Sequence, residues 1–298
     1  MIETRQLKKC FDKTIALDYV NLQFKKGGVY ALVGSNGSGK STLMRCIAGV
    51  YEADEGKLLI DGEEAFDRPE IKRRVFFLPD APSYFKGATV LSMANFYGRF
   101  YPNFSMEQLR ALGEVFPIGL EKPIDKMSKG MQRQAMLMLA LASGAEVLLL
   151  DEAFDGLDPV VRGTLKSLLV TWAQDRGTTT IIASHNLREL EDLCDHVTLI
   201  HQGKKVCSDD LEDLRSGIHK VQAAFRDVPE QEQLEGLEIL KLQRTGSLLQ
   251  MVIRGEREEI MEKIRALDPI FAETIAPSLE EIFIFEMEVR GYDIKSLL

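Results

Sequence analysis

The chain has 298 residues, of which 45% are hydrophobic and 28% are charged, and its formal net charge at pH 7 is −9. These values are ordinary for a globular protein with one large and one small domain, and the acidic balance argues against a nucleic-acid partner. The longest apolar run, at residues 135–142, is far shorter than the ~20 residues that span a bilayer. Scattered cysteines and an N-terminus without an apolar leader segment predict a reduced, cytoplasmic protein.

The strongest signal in the chain is a strand, a glycine-rich loop and a helix in direct succession. An apolar strand at Val29–Val33 runs into GSNGSGKS, which fits the GxxxxGK[ST] template at every fixed position. After it, Leu43, Ile47 and Val50 recur at helical spacing, and Gly49 suits the end of that helix. Such a loop turns backbone N–H groups towards phosphates at the positive end of a helix, so the sequence predicts a nucleotide site.

The residues predicted to bind the nucleotide are those of this loop and the residue after it. They are Gly34, Ser35, Asn36, Gly37, Ser38, Gly39, Lys40, Ser41 and Thr42. In such a site Lys40 reaches the β- and γ-phosphates, and the Ser41 hydroxyl coordinates Mg²⁺. The predicted ligands are therefore ATP and Mg²⁺.

A second apolar strand, Val75–Leu78, stops at a proline and is followed by a single acid, Asp80. On its own, this stretch favours a strand end with a solvated turn. Residues 81–104, which come next, are dense in aromatic side chains. Such a segment suits both the core of a small helical subdomain and a groove for a partner helix. We expect both, with Tyr84 and Phe85 nearer the partner.

A third apolar strand, Val147–Leu150, delivers Asp151 and Glu152 to its carboxyl end. A pair of acids at a strand end is, taken alone, more often the start of a loop. With a phosphate loop upstream, the pair is better explained as the second half of a nucleotide site. Asp151 is then expected to hold Mg²⁺, and Glu152 to polarise the attacking water.

The remainder of the chain, residues 216–298, predicts a small α+β domain. Its predicted elements are strands within 219–228 and 239–255, a hairpin turn at 245–247, a helix at 256–267, a strand at 270–276 and a helix at 278–289. No residue pattern in it indicates chemistry, so we expect a role in dimer contact or regulation.

Taken in this order, the motifs resemble the nucleotide-binding subunits of ABC transporters over roughly the first 215 residues. The glycine-rich loop resembles the family's phosphate loop, and residues 75–85 fall where the family has its Q-loop. MSKGMQRQ at 127–134 resembles the signature LSGGQ and the helix after it. LLLDEAFDGLDP at 148–159 resembles the Walker B strand and D-loop, and IIASHN at 181–186 resembles the switch strand.

The resemblance implies an α/β fold with a P-loop NTPase core, the ABC ATPase domain, at residues 1–215. A helical insert at about 85–145 would carry the signature. The resemblance also implies that His185 contacts the γ-phosphate and the attacking water, that Asp158 is the acid of the D-loop, and that Phe11 stacks on adenine. By spacing alone His185 would be an ordinary strand-end histidine, and Phe11 would more often be a core residue.

The signature segment departs from the family pattern, because only its serine and one glycine are retained. It reads Ser128, Lys129, Gly130 and Met131. The resemblance implies that its hydroxyl and backbone N–H groups, at a helix N-terminus, bind the γ-phosphate of a second ATPase subunit in a homo- or heterodimer. Lys129 adds a positive charge beside that anion.

A second departure is Asp80, where most family members have glutamine. In the family this polar side chain reaches the metal and the attacking water, and the segment after it grips the membrane subunit. A carboxylate can do the first task, because Mg²⁺ prefers hard oxygen ligands. Asp80 is therefore predicted to be a metal ligand together with Ser41 and Asp151.

The aspartate and the sequence FYPNF at 100–104 resemble export-type ABC ATPases, including the YtrB-like and phenol-soluble-modulin exporters. This implies an ATP-hydrolysing subunit, peripheral on the inner face of the cell membrane, that powers export through integral membrane subunits docked after Asp80. An ATPase subunit of an importer is mechanically similar and stays an alternative. A soluble, non-transport ABC ATPase of the assembly-factor type is another, although it would not need the aromatic groove.

Overall fold

The computed structural model describes residues 1–289 of the chain. The described chain falls into two compact units, of which the first is Met1–Ser208 and the second begins at Asp209. Residues 290–298, the end of the predicted 216–298 domain, lie outside the described residues.

The first unit contains two sheets and a set of helices. Its strands are β1 (Ile2–Phe11), β2 (Thr14–Phe24), β3 (Val29–Val33), β4 (Glu55–Ile60), β5 (Glu63–Glu64), β6 (Val75–Leu78), β7 (Val147–Asp151), β8 (Thr179–Ser184), β9 (His196–His201) and β10 (Lys204–Asp210). Its helices are α1 (Lys40–Ile47), α2 (Pro69–Lys72), α3 (Val90–Tyr97), α4 (Met106–Val115), α5 (Lys129–Ala142), α6 (Pro159–Arg176) and α7 (Leu187–Leu190), with a 3₁₀ turn at Ile124–Lys126.

The larger sheet has the order β10-β9-β3-β8-β7-β6 and is parallel from β9 to β6. β3, β7 and β8 are buried along their whole length, as expected for parallel strands covered on both faces. Because the carboxyl ends of parallel strands lie at one edge, the segments after β3, β6, β7 and β8 meet there. This edge carries the candidate site.

An antiparallel sheet of order β2-β1-β4-β5 was not among the elements predicted from the sequence. β1 carries register shifts against β2 between Thr4 and Leu7, which break the two-residue alternation that would otherwise indicate a strand. Leu7 and Leu17, from β1 and β2, are buried together with Leu43 of α1 and Leu32 of β3. This shared core fixes β2 beside the loop between β3 and α1.

Helix α1 is shorter than the hydrophobic spacing predicts. It ends at Ile47, and Gly49 adopts the left-handed conformation that commonly ends a helix, with φ +66°. Val50, which the spacing placed on this helix, lies beyond it and is 57% exposed. The prediction for Val50 was therefore wrong, whereas Gly49 ends the helix as expected.

Helices α3, α4 and α5 form the helical insert between β6 and β7. Each begins with a side-chain cap, from Thr89, Ser105 and Ser128 respectively, because these hydroxyl oxygens accept from free N–H groups of the first turn. Helix α5 contains the apolar run and is buried from Gln134 to Ala142. Among residues 1–289, no helix is both long and apolar enough to cross a membrane.

The second unit has an antiparallel sheet of order β12-β13-β11-β14. Its elements are α8 (Leu211–Ser216), β11 (Ile218–Ala224), β12 (Glu238–Thr245), β13 (Leu248–Arg254), α9 (Arg257–Arg265), β14 (Phe271–Ile275) and α10 (Leu279–Val289), with a 3₁₀ turn at Gln231–Leu234. Ile260 and Ile264 of α9 pack on Val221 and Met251 of the sheet. The strands and helices predicted from residue 218 to 289 are present; the role of this region stays a prediction.

Candidate functional site

The glycine-rich loop joins β3 to α1 and is held between the ends of β2 and β9. A Cβ atom on Gly39 would lie 2.5 Å from the Ala16 carbonyl oxygen, and one on Gly34 would lie 2.2 Å from the Ile200 carbonyl oxygen. Gly39 also has a φ of +111°, which side chains disfavour. Glycine is therefore required at both positions by the close approach of neighbouring backbone.

Lys40 opens helix α1, and its side chain folds back over the loop. Its ammonium group donates to the carbonyl oxygen of Gly34 at 2.6 Å and to that of Ser35 at 3.1 Å. The residue is only 6% exposed. Burial lowers the pKa of Lys40, and the nearby carboxylates of Glu152 and Asp151 oppose that shift. A phosphate group is a suitable partner for such a partly desolvated cation.

Asp151, at the carboxyl end of β7, is 1% exposed. One carboxylate oxygen, Oδ2, is buried without a hydrogen-bond partner in the described part of the chain. Burial raises the pKa of Asp151, while hydrogen bonding to Ser41 opposes the shift. A buried, unpartnered carboxylate oxygen beside a hydroxyl is a donor set that fits a hard divalent cation such as Mg²⁺.

Glu152 and His185 form a close pair at the ends of β7 and β8. Glu152 Oε2 lies 3.0 Å from His185 Nδ1, and the side chains are 13% and 50% exposed. The Glu152 carboxylate raises the pKa of His185. The Glu152 backbone is anchored by a 2.9 Å hydrogen bond to the Ala183 carbonyl oxygen and has a φ of +50°. A carboxylate held in this way can act as a base towards a water molecule.

Asp80 follows β6 at the same edge and forms an ion pair that the sequence did not predict. Its Oδ1 accepts from the Arg133 guanidinium of α5 at 2.9 Å. Arg133 also lies 3.4 Å from the Asp151 carbonyl oxygen. The chain offers no local signal for this contact, because the two residues are 53 positions apart.

A cavity of about 260 Å³ brings most of the predicted site residues together. Its lining contains Asn36, Gly37, Ser38, Gly39, Lys40, Ser41, Thr42, Asp80, Asp151 and Glu152. Thr14, Ile15 and Ala16 at the start of β2 also line it, and sequence analysis missed them. The core that β2 shares with β3 and α1 places them there.

Phe11 lies at the end of β1 and is 40% exposed. Its ring makes an edge contact with Tyr51, with centroids 5.2 Å apart, and the Lys9 ammonium lies 5.6 Å from its centroid. It is not among the residues that line the cavity. Stacking of Phe11 on adenine stays a prediction.

The signature segment lies at the start of α5 and outside the lining of the cavity. Ser128 caps the helix by accepting from the Met131 N–H at 3.3 Å, and both Ser128 and Lys129 are exposed. A Cβ atom on Gly130 would lie 2.5 Å from the Gly156 carbonyl oxygen, so this glycine permits a contact between main chains. Binding of a second subunit's nucleotide by these residues stays a prediction.

The D-loop residue Asp158 has a structural task in this chain. Its Oδ1 accepts from the N–H groups of Val160 and Val161 at 3.0 and 3.1 Å and so caps helix α6. The resemblance implied that Asp158 is the acid of the D-loop and gave it no contact partner. Any further role in nucleotide turnover stays a prediction.

A parallel sheet with a glycine-rich phosphate loop and a strand-terminal pair of acids on one cavity defines the class of P-loop nucleoside triphosphatases. Residues 17–155 match the sequence profile of the ABC transporter family. The ABC transporter ATP-binding protein YtrB of Bacillus subtilis is 31% identical over 284 residues, covering 95% of this chain and 97% of YtrB. The chain therefore belongs to the ATP-binding subunits of ABC transporters and is an ATPase, which confirms the predicted fold class and family.

Further similarities agree with this assignment. The bacitracin transport ATP-binding protein BcrA of Bacillus licheniformis is 33% identical, covering 68% of each chain. A solved ATP-binding subunit of an ABC transporter superimposes with a TM-score of 0.68 at 26% identity, covering 72% of this chain and 92% of that one. The dimeric cassette MJ0796, at 20% identity and a TM-score of 0.65, shares the fold over 71% of this chain and 99% of its own.

Proposed function

We propose that this chain hydrolyses MgATP as one half of a dimer and powers export through partner membrane subunits at the inner face of the cell membrane. The observation that carries the proposal is the convergence of Lys40, Ser41, Asp151 and Glu152 on one cavity. An apolar groove between α2 and the aromatic segment of the helical insert, described below, supports a membrane partner.

Each of the four residues has a role that its surroundings support. Lys40 neutralises phosphate charge from its place above the loop carbonyls. Ser41 and the buried oxygen of Asp151 would hold Mg²⁺, which supplies positive charge at the phosphate oxygens when bound. Glu152 would accept a proton from the attacking water, and His185, whose Nδ1 lies 3.0 Å from Glu152 Oε2, would contact the γ-phosphate and that water.

The proposed dimer places Ser128 against the nucleotide of the opposing subunit. Ser128 lies outside the lining of its own chain's cavity, on the exposed start of α5. Its free hydroxyl hydrogen and the N–H groups of the first helical turn would face the γ-phosphate of the partner's ATP. Two half-sites would then form one active site at the interface.

A mixture of Ser128→Arg chains and Lys40→Ala chains is expected to recover ATPase activity that neither variant has alone. Each heterodimer contains one site with an intact Lys40 and an intact Ser128, because the two residues come from different chains. Phosphate release is measured on equimolar mixtures, with formation of heterodimers verified by two affinity tags. Mixtures as inactive as both parents, at verified heterodimer content, would show that the site is not shared.

The proposed membrane contact is an apolar groove of about 550 Å³ between α2 and the aromatic segment of the helical insert. It is lined by Pro69, Lys72, Arg73, Phe96, Tyr97, Phe100 and Tyr101. The Phe96 ring stands between those of Phe85 and Phe100, with centroids 5.0 Å from each. Phe85 is 58% exposed and Phe100 51% exposed. An aromatic groove beside two cations suits an amphipathic partner helix with an acidic end.

From the sequence we expected Tyr84 and Phe85 to lie nearest the membrane partner. Their side chains differ in exposure to solvent. Phe85 is exposed, whereas Tyr84 is half-buried. Tyr101 belongs to the core side of the insert, since its hydroxyl donates to the Val75 carbonyl oxygen at 3.1 Å. The aromatic segment is thus divided between packing and an open surface, and Phe85 and Phe100 are the rings to test.

Phe100→Ala is expected to weaken binding to the membrane subunits while basal ATP hydrolysis by the isolated chain persists. Loss of a central aromatic contact costs ~2 kcal/mol or more, which corresponds to a loss of affinity of about 30-fold. Binding is measured by pull-down of detergent-solubilised membrane subunits. Val115→Ala, an exposed apolar change on α4 of the same insert, is the matched control. Unchanged recovery with Phe100→Ala would contradict docking at this groove.

The proposal of export rests on the resemblance of Asp80 and the segment FYPNF to export-type ABC ATPases. The likeness to YtrB, an ABC transporter ATP-binding protein, extends to 95% of the chain. BcrA is named for bacitracin transport. The lantibiotic transport ATP-binding protein SrtF of Streptococcus pyogenes is 29% identical over 72% of this chain. Import is the second candidate, because the sulfate/thiosulfate import ATP-binding protein CysA of Nephroselmis olivacea is 37% identical over 66% of the chain. The chain covers 59% of that protein.

The direction of transport is tested with inside-out membrane vesicles that contain the complete transporter. An exporter loads such vesicles with substrate when ATP is added outside, whereas an importer empties preloaded vesicles. Accumulation that requires an intact Glu152 supports export. ATP-dependent release from preloaded vesicles would establish import instead.

A further inference from the structure

The ion pair between Asp80 and Arg133 joins three parts of the first unit. Asp80 follows β6, and Arg133 lies on α5 two residues after the signature segment. The Asp151 carbonyl oxygen at the end of β7 lies 3.4 Å from the same guanidinium. Asp80 also lines the cavity that contains Lys40 and Asp151. A single side chain of the insert thus contacts two strand ends of the nucleotide site.

The burial of the pair is strongly unequal. The Arg133 side chain is 11% exposed, whereas that of Asp80 is 63% exposed. An exposed ion pair contributes little, but a guanidinium that is largely removed from water is costly to leave without its carboxylate. Arg133 therefore depends on Asp80, and Asp80 is constrained by Arg133 at the rim of the cavity.

We propose that Arg133 is a positioning residue, which pairs with the Asp80 carboxylate at the rim of the cavity while the chain is free of nucleotide and ties α5 to the ends of β6 and β7. Ser128 caps the same helix. The pair therefore links the phosphate cavity to the residue that would face the opposing subunit, and this last link rests on the proposed dimer. Asp80 has one carboxylate for two partners, so occupation of the cavity by MgATP competes with Arg133 for it.

If the two side chains act through this contact, the effects of Asp80→Asn and Arg133→Gln on hydrogen exchange are expected to be non-additive in a double-mutant cycle. Each single change removes one charge of the pair; Asp80→Asn keeps the shape of the side chain, and Arg133→Gln keeps a polar but shorter one. Each is expected to speed hydrogen exchange across residues 128–136 about 10-fold, as for loss of a charged hydrogen bond. The double variant is expected to exchange no faster than the single variants, because the contact is already lost. Exchange is measured by mass spectrometry on the full chain without nucleotide.

Hydrolysis provides a second readout. Both single variants are expected to shift the Mg²⁺ concentration for half-maximal ATPase activity by several-fold, in opposite directions. Asp80→Asn raises it, because a neutral amide oxygen is a weaker Mg²⁺ ligand than a carboxylate, and Arg133→Gln lowers it, because the Asp80 carboxylate is no longer paired with a cation. Asp80→Glu keeps the charge and is expected to restore slow exchange. A merely structural salt bridge would change exchange without these opposite Mg²⁺ shifts.

The matched control is Arg110→Gln, which removes an exposed charge from α4 of the same insert. It is expected to match wild type in both measurements. Additive effects of the two single changes on exchange, or Mg²⁺ shifts in the same direction, would overturn the proposal. Failure of the proposed ATPase mechanism would instead appear as absent turnover in the wild-type chain, with the exchange result unaffected.

Discussion

Glu152→Gln is expected to lower ATP turnover by about 100-fold or more while leaving ATP binding intact, the usual size of the contribution from a general base. The amide keeps the shape of the side chain but cannot take a proton from water. The backbone bond from Glu152 to Ala183 is unaffected, so the strand end keeps its geometry. Phosphate release and nucleotide titration are measured on the same preparation.

The same variant is expected to accumulate as an ATP-filled dimer, because closure no longer leads to hydrolysis. Size-exclusion chromatography with and without MgATP detects this change. Glu114→Gln, which changes an exposed acid on α4 of the helical insert, is the control and is expected to stay close to wild type. Normal turnover in Glu152→Gln would remove Glu152 from its catalytic role.

Lys40→Ala is expected to reduce ATP affinity by about 100-fold, which corresponds to ~3 kcal/mol for a charge-assisted contact in a partly desolvated site. The backbone N–H groups of the loop remain, but the phosphates lose their one buried cation from α1. Affinity is measured by calorimetric titration. Lys26→Ala removes an exposed lysine whose side chain is 64% accessible and serves as control. Affinity within a few-fold of wild type would contradict the assignment.

The phosphate loop, the strand β3 and the acid pair at the end of β7 could be predicted from the sequence, because each is a local pattern with its own strand or helix. The insert and the elements of the second unit were also predictable from hydrophobic periodicity and turn residues. The acid pair was expected at the carboxyl end of its strand, and His185 at the end of another strand through its motif IIASHN; their roles in hydrolysis stay predictions. These features depend on short-range sequence alone.

The rest depended on contacts between distant residues. The bulged pairing of β1 with β2 has no clear alternation in sequence. The core that β2 shares with β3 and α1, which brings Ile15 to the cavity, joins residues far apart in the chain. The pair between Asp80 and Arg133 is determined by the packing of α5 and not by spacing. For the same reason, the sequence could suggest Asp80 as a metal ligand but could not reveal that its carboxylate already has a cationic partner.

The contact between Gly130 and the Gly156 carbonyl leaves no room for even a methyl group, so the start of α5 moves together with the loop that follows Glu152. In the proposed dimer, that helix start senses the nucleotide of the opposing chain, while the loop belongs to the catalytic strand of its own chain. Because this contact joins two main-chain segments directly, a displacement of one segment is not absorbed by rotation of a flexible side chain. We therefore expect the two sites to hydrolyse ATP cooperatively, with a sigmoidal dependence of the hydrolysis rate on ATP concentration. Gly130→Ala is expected to lower the Hill coefficient of this dependence.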